Sequence, residues 1–291
     1  MKFNRIYIEL TNICGLSCSF CPTKSSEYQY NSMDLELFES IVAQSARYTK
    51  EIYCHVVGDP MTLSNLGRYL DIIDRYSMRA TLTTSGYYID RHRYSTLLHP
   101  AVKQINISIN SYNKNDNKLT LEEYLKPMIS LCQKKIVEQK EIFINFRLWN
   151  FDEVMSERDF NQKIFSYLSK QFSVDLDIET IDRDRPKSIR LDYKILLHFD
   201  NYFEWPSLNN PLYGDGTCQG LSSHIAILSD GRVVPCCLDC DAVIELGDLN
   251  IESLDDILKS RRSVTMIDNF KDGVAIEELC QHCSYKERFK R

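Results

Sequence analysis

The chain has 291 residues, 43% hydrophobic and 26% charged, a globular composition long enough for one large domain and a small appendage. Lys and Arg total 35 against 41 Asp and Glu, a formal charge of −6, so the basic excess that marks nucleic-acid binding is missing. No apolar stretch has the length of a signal-peptide core or a membrane span, and a cytoplasmic protein is expected.

Taken in chain order, residues 5–11 predict a first strand. Leu37, Phe38, Ile41 and Val42 share one helical face. Residues 51–57 predict the second strand, and Leu66, Tyr69, Leu70 and Ile73 another helical stripe. Strand 79–84, helix 91–98 and strand 102–109 follow. Residues 121–139 predict a helix that Pro127 starts or kinks. Strand 141–148, a stripe of Phe160, Ile164, Phe165 and Leu168, and strand 173–179 complete the alternation. Six strands alternating with helices predict a parallel sheet with covering helices. Six is too few for a closed eight-unit barrel. The expected fold class is therefore α/β, with a partial (β/α)6 barrel over residues 1–180. Residues 181–217 read as a connector, in which Tyr202, Glu204 and Trp205 serve packing or substrate contact. Residues 225–228, the turn Ser229-Asp230-Gly231 and residues 232–235 predict a β-hairpin, and residues 253–259 a short helix. Residues 218–291 form a separate small domain.

Eleven cysteines in a cytoplasmic chain point to metal or redox chemistry rather than disulfides. Cys14, Cys18 and Cys21 are spaced C-x3-C-x2-C within ELTNICGLSCSFCP, directly after the first strand. Three thiolates on one loop can hold three irons of a cubane and leave the fourth open to a small chelating molecule, whereas such clusters usually have four cysteines. A structural zinc loop is the competing reading. The spacing, its place after strand one and Phe20 before the third cysteine resemble the radical S-adenosylmethionine (SAM) superfamily. The resemblance implies a [4Fe-4S] cluster whose open iron binds the amino and carboxylate groups of SAM. It also implies reductive cleavage to a 5′-deoxyadenosyl radical that abstracts a hydrogen atom, with a flavodoxin- or ferredoxin-type electron donor. Gly58, Asp59 and Pro60 resemble the superfamily's Gly-Gly-Glu-type segment at the SAM amino group, although Val57 and Asp59 replace its usual Gly and Glu. Thr84 and Ser85 follow strand three where relatives have Thr-Asn-Gly. Ser108 and Asn110 end strand four and resemble the segment at the SAM ribose and carboxylate, with Asn145 and Arg147 on strand five as further candidates. A plain polar lining of the barrel is the alternative for these positions.

The remaining pattern, Cys218-x17-Cys236, Cys237, Cys240 and Cys280-x2-Cys283, with Gly231 ahead of Cys236 and Gly247-Asp248-Leu249 between the groups, resembles SPASM and twitch extensions of this superfamily. The twitch form implies one auxiliary [4Fe-4S] cluster on Cys218, Cys236, Cys280 and Cys283, making 218–291 a small β-hairpin/helix iron–sulfur domain. A zinc ribbon on Cys237, Cys240, Cys280 and Cys283 is the rival. It leaves Cys218 and Cys236 unexplained. Under the cluster reading Cys237 and Cys240 are spare, either packed or acting as hydrogen-atom donors. Cys54 and Cys132 are expected in the core. His55 lies near the Gly58 segment, in reach of the site or packed.

The resemblance implies an enzyme, a radical SAM oxidoreductase or epimerase acting on a small polar molecule such as a sugar or aminocyclitol. Maturation or epimerisation of a ribosomally made peptide is the second reading; no leader-binding domain is recognised, and a separate protein can supply one. A non-enzymatic metal-binding scaffold is the third.

Overall fold

The computed structural model describes residues 2–22, 31–115, 118–150 and 157–289. Two compact units emerge. The first comprises Met1–Gly15, Phe20–Ala80 and Phe203–Arg291, and the second Leu16–Ser19 and Thr81–Tyr202. The chain begins with β1 (Arg5–Ile8), α1 (Leu35–Ser45), β2 (Glu51–Tyr53) and α2 (Leu66–Arg75). β3 (Arg79–Thr84) starts in the first unit and runs into the second. There follow α3 (Tyr94–Leu97), β4 (Val102–Ser108), α4 (Asn110–Asn113), α5 (Leu121–Val137), β5 (Phe143–Leu148), α6 (Arg158–Phe172), α7 (Ile178–Asp184), β6 (Ser188–Asp192) and β7 (Ile195–Phe199). The first unit closes with β8 (His224–Ile227), β9 (Arg232–Val234), β10 (Gly247–Asp248), α8 (Leu254–Lys259), α9 (Arg261–Lys271) and α10 (Glu278–Gln281).

In the first unit the strand order is β10-β9-β8-β1-β2. β1 runs parallel to both neighbours, with Ile6 opposite Ile52 and Ile225, while β9 turns back antiparallel on β8 and β10. In the second unit the order is β3-β4-β5-β7-β6. β4, β5 and β7 are parallel, and β6 is antiparallel to β7. This is the mostly parallel, open α/β sheet that the alternation predicts.

Local chemistry explains the elements. Along β1, Ile6 and Ile8 are buried while Arg5 and Tyr7 take the opposite face, the two-residue period of a strand. Asp34 caps α1 by accepting from the Glu36 and Leu37 N–H groups at 2.9 Å, and the helix then buries Phe38, Ile41 and Val42. Each such side chain contributes about 1.5–3 kcal/mol when fully buried. Thr120 and Glu123 form a reciprocal capping box at the start of α5. That helix carries Pro127 in its interior and still buries Leu125, Met128, Ile129 and Cys132. Cys54 is buried as well.

The structure departs from the predicted pattern in one stretch. Residues 173–179 are not a strand: the Asp177 carboxylate accepts from the Thr180 N–H at 2.9 Å and starts α7. Burial of Leu176 and Ile178 on alternate residues mimics a strand in the sequence. The strand parallel to β5 is instead β7, in the stretch read as connector, reached through the β6–β7 hairpin. α9, also unpredicted, follows α8 with Ser260 as its N-cap. Among the described residues no helix is long and apolar enough to cross a membrane.

Candidate active site and cysteine groups

The N-terminal cysteines lie on the loop after β1, Cys18 buried and Cys14 and Cys21 half-buried, with Phe20 half-buried beside them. Gly15 has a φ of 69°, the left-handed region that glycine reaches without strain. In the second unit Asn115 holds the middle of this loop. Its Oδ1 accepts from the Ser17 N–H at 2.9 Å, and its Nδ2 donates to Cys18 Sγ at 3.0 Å and to the Ser111 carbonyl at 2.7 Å. An N–H directed at a cysteine sulfur suits a thiolate.

In the first unit the segment after β2 presses on the start of the cysteine loop. A Cβ on Gly58 would lie 1.8 Å from the Thr11 carbonyl oxygen and 2.7 Å from Asn12 Cα, so only glycine fits. The Asp59 N–H donates to the Ile13 carbonyl at 3.0 Å. The Asp59 carboxylate is buried and accepts from the Met61 N–H at 3.0 Å, capping the 3-10 turn that Pro60 opens. Its side chain thus serves this turn, and its backbone serves the loop.

The second unit gathers the other predicted positions at the C-terminal ends of its strands, where sheets of this class place ligands. Thr84 Oγ1 accepts from the Gly86 N–H at 3.0 Å, and the Ser85 carbonyl accepts from Tyr124 Oη at 2.5 Å and Ser111 Oγ at 3.2 Å. Ser108 and Arg147 are register partners, and Arg147 in turn faces His198. One row back, Asn145 Nδ2 donates to Asn106 Oδ1 at 3.2 Å, and Asn106 Nδ2 to Thr83 Oγ1 at 3.3 Å. Asn145 Oδ1 is buried without a hydrogen-bond partner among the described residues, which fits an acceptor waiting for a ligand donor. Asn110 is buried, close to the Tyr202 hydroxyl. The Arg147 guanidinium lies 4.7 Å from the centre of the Trp149 ring, whose Nε1 donates to His198 Nδ1 at 3.4 Å. Burial, then the Arg147 charge, push the His198 imidazole below its ordinary range.

The C-terminal cysteines sort themselves. Cys218, Cys236, Cys280 and Cys283 lie in one electrostatic neighbourhood, in which Cys236, Cys280 and Cys283 all feel Cys218; Cys237 stands at its edge, felt by Cys236 and itself feeling Cys218. The Gly220 N–H donates to Cys218 Sγ at 3.4 Å, and backbone N–H groups of Leu238, Tyr285 and Lys286 lie near Cys236 and Cys283. Lys286 places its charge near Cys218 and Cys283 and donates to the Cys283 carbonyl at 3.2 Å. Burial pushes all four thiols up. Iron bonding offsets that cost, because a metal deprotonates its thiol ligands. Four buried thiols in one neighbourhood suit the donor set of a cubane. Among the described residues no three His, Cys, Asp or Glu side chains crowd about one point as around a single ion. Cubane thiolates bind four different irons and stand further apart.

Cys237 lies beside Tyr7 as well as in reach of Cys218 and Cys236, and burial pushes its thiol up to about 11. The Tyr7 ring packs against Tyr53, His55 and His224 at 5.1, 5.6 and 5.7 Å, so His55 belongs to an aromatic cluster. Cys240 packs with Cys237 against Val56, Ala226, Leu228 and Val234 and feels the charges of Asp241, Glu9 and Cys21. Glu204 accepts from Tyr213 Oη at 3.0 Å, and Trp205 packs 5.4 Å from Phe203.

Sequence reasoning missed four polar residues around these groups. They are Glu9, Asn115, His198 and Asp239, whose buried carboxylate accepts from the Val243 and Ile244 N–H groups at 2.8 Å. A charged residue inside an apolar strand was the available signal for Glu9. The other three have none without the fold.

Comparison with known proteins agrees with this geometry. The family profile of the radical SAM superfamily matches residues 8–144, and that of SPASM, an iron–sulfur cluster-binding domain, matches residues 218–284. A probable GTP 3′,8-cyclase of Methanosarcina mazei is 22% identical over 90% of this chain and 86% of its own length. An S-adenosyl-L-methionine-dependent 2-deoxy-scyllo-inosamine dehydrogenase of Niallia circulans is 25% identical over 35% of this chain and 43% of its own. The crystal structure of BtrN in complex with AdoMet and 2-DOIA has a TM-score of 0.58 at 16% identity, covering 98% of this chain and 94% of that one. Streptococcus suis SuiB bound to the precursor peptide SuiA also has a TM-score of 0.58, at 14% identity, covering 100% of this chain and 73% of that one. These structures share the fold. The matched domains carry a SAM-binding [4Fe-4S] cluster and an auxiliary cluster as cofactors. The chain thus belongs to the radical SAM superfamily and carries a C-terminal SPASM-type domain.

Proposed function

We propose that this radical SAM enzyme abstracts a hydrogen atom from a small polar molecule, a sugar or aminocyclitol, and yields an oxidised or epimerised product. The SAM-bound cluster supplies a 5′-deoxyadenosyl radical, and the auxiliary cluster an electron sink. Cys14, Cys18 and Cys21 hold the first, fed by a flavodoxin- or ferredoxin-type donor, and Cys218, Cys236, Cys280 and Cys283 hold the second. Gly58, Asp59 and Pro60 offer backbone to SAM, and Thr84, Ser85, Ser108 and Asn110 line its site with Phe20. The observation that carries the substrate class is the polar inner wall of the second unit, where Thr83, Asn106 and Asn145 join side chains across three strands and Arg147 faces His198. Hydroxyl and amine groups find an acceptor there in Asn145 Oδ1, which has no hydrogen-bond partner among the described residues; an apolar substrate would leave it unpaired, at about 1–3 kcal/mol. Near-complete mutual coverage with the BtrN structure supports the same class.

Epimerisation requires a thiol that returns a hydrogen. Cys240, in electrostatic reach of Cys21, suits that role better than Cys237, which is tied to Tyr7. A peptide substrate is the second reading, favoured by the fold shared with peptide-bound SuiB. Anaerobic turnover of a sugar and aminocyclitol panel, reading substrate-dependent 5′-deoxyadenosine, tests the proposal. Formation of 5′-deoxyadenosine only with peptides would refute it. Solvent deuterium at one carbon of an unoxidised product would select epimerisation over oxidation.

A further inference from the structure

Glu9 is a carboxylate at 2% exposure directly after β1. Among the described residues no cation pairs with it. Its Oε1 accepts from the Val57 N–H at 3.0 Å, and its Oε2 accepts from the Ser229 N–H at 3.3 Å. The Gly58 N–H and the Ser229 side chain lie close enough to favour its charged form. Burial, the largest influence, raises its pKa, and these donors oppose that rise. An isolated buried carboxylate is costly. This one is retained between two separate backbone segments, the stretch that leads into Gly58 and the β8–β9 turn.

Both segments matter for the cysteines. Val57 and Gly58 lead to the contact with the Thr11 carbonyl at the base of the N-terminal loop. Ser229 opens the turn whose Gly231, at a φ of 99°, sends β9 towards Cys236. With the Val57 N–H engaged by Glu9 and Gly58 wedged against the Thr11 carbonyl, the peptide planes of the segment are held, and so is the direction of the carbonyls offered to a ligand. A carboxylate suits the task because it only accepts. A glutamine would set an NH2 group against one backbone N–H, a donor facing a donor.

We propose that Glu9 is a positioning residue that presents the Val57–Asp59 backbone to SAM and ties it to the turn leading to the auxiliary-cluster hairpin. The proposal rests on the reading of the Gly58 segment as the SAM amino-group site. It predicts a defect in SAM affinity without loss of either cluster.

The test uses reconstituted holoenzyme, wild type and Glu9→Gln, with iron content measured on both. The dithionite-reduced cluster is titrated with SAM and followed by electron paramagnetic resonance. The expected result is full iron in both proteins and a SAM midpoint raised about tenfold in the variant, the loss of one hydrogen bond to a charged group. Full iron with an unchanged midpoint overturns the proposal. A wild-type signal that ignores SAM overturns the SAM-site reading itself, and the role of Glu9 with it. If Glu9→Gln fails to fold, hydrogen exchange of the wild-type holoenzyme decides. Support requires the Val57, Gly58 and Ser229 amides to be protected without SAM, with SAM adding protection at 57–59. Free exchange of those amides, or no response at 57–59, overturns it.

Discussion

Cys14, Cys18 and Cys21 sit on one short loop, whereas Cys218, Cys236, Cys280 and Cys283 come from three segments of the last third of the chain. The first set needs no distant folding to bring its sulfurs into one neighbourhood. The second is gathered by the segments around β8, β9 and α10, with Cys237, next to Cys236 in the chain, beside both this group and Tyr7. Local spacing suffices where the site must stay open to a small ligand. A set spread over three segments joins the site to the stability of its domain, since a metal bound only by the folded state stabilises that state.

The largest expected effect breaks the comparison in half. Cys18→Ala should lower iron from about eight to about four per chain and cut SAM cleavage by more than about 1,000-fold. Cys236→Ala should lose the same iron and keep SAM cleavage, and Cys237→Ala should keep all the iron. Iron analysis with 5′-deoxyadenosine assays checks each, and iron loss in Cys237→Ala would reassign the auxiliary ligands.

A smaller effect is expected at Gly58. Its alanine variant forces backbone apart at the Thr11 carbonyl and should cost about 2–4 kcal/mol, read as a lowered unfolding midpoint. An unchanged midpoint would mean that the loop yields freely.

The C-terminal region offers a test by pH. Burial, then Arg5, hold the His224 imidazole down to about 4, against an ordinary 6.5. The folded state therefore favours the neutral ring. This contribution is complete above the unfolded value and is lost as pH falls from 6.5 towards about 4. The loss should be about 1–2 kcal/mol after allowance for partial exposure. Unfolding of wild type and His224→Gln across that window checks it: the variant's stability should fall less steeply with acid.

The smallest effect concerns tuning. Asn115 donates to Cys18 Sγ, and hydrogen bonds to cluster sulfurs raise reduction potentials. Asn115→Ala should lower the potential of the SAM-binding cluster by tens of millivolts in a redox titration. An unaltered potential would limit Asn115 to holding the loop through Ser17 and Ser111.

The amino-acid sequence by itself determined the alternation of strands and helices, the C-x3-C-x2-C loop after β1 and the superfamily. Those features are periodicities and spacings, written over a few residues. The tertiary structure decided that β7 rather than residues 173–179 pairs with β5, because a strand-like burial rhythm and a capped helix look alike until Asp177 engages Thr180. It also showed why a glutamate directly follows β1: its partners, Val57 and Ser229, are backbone N–H groups from distant turns, which no side-chain pattern records.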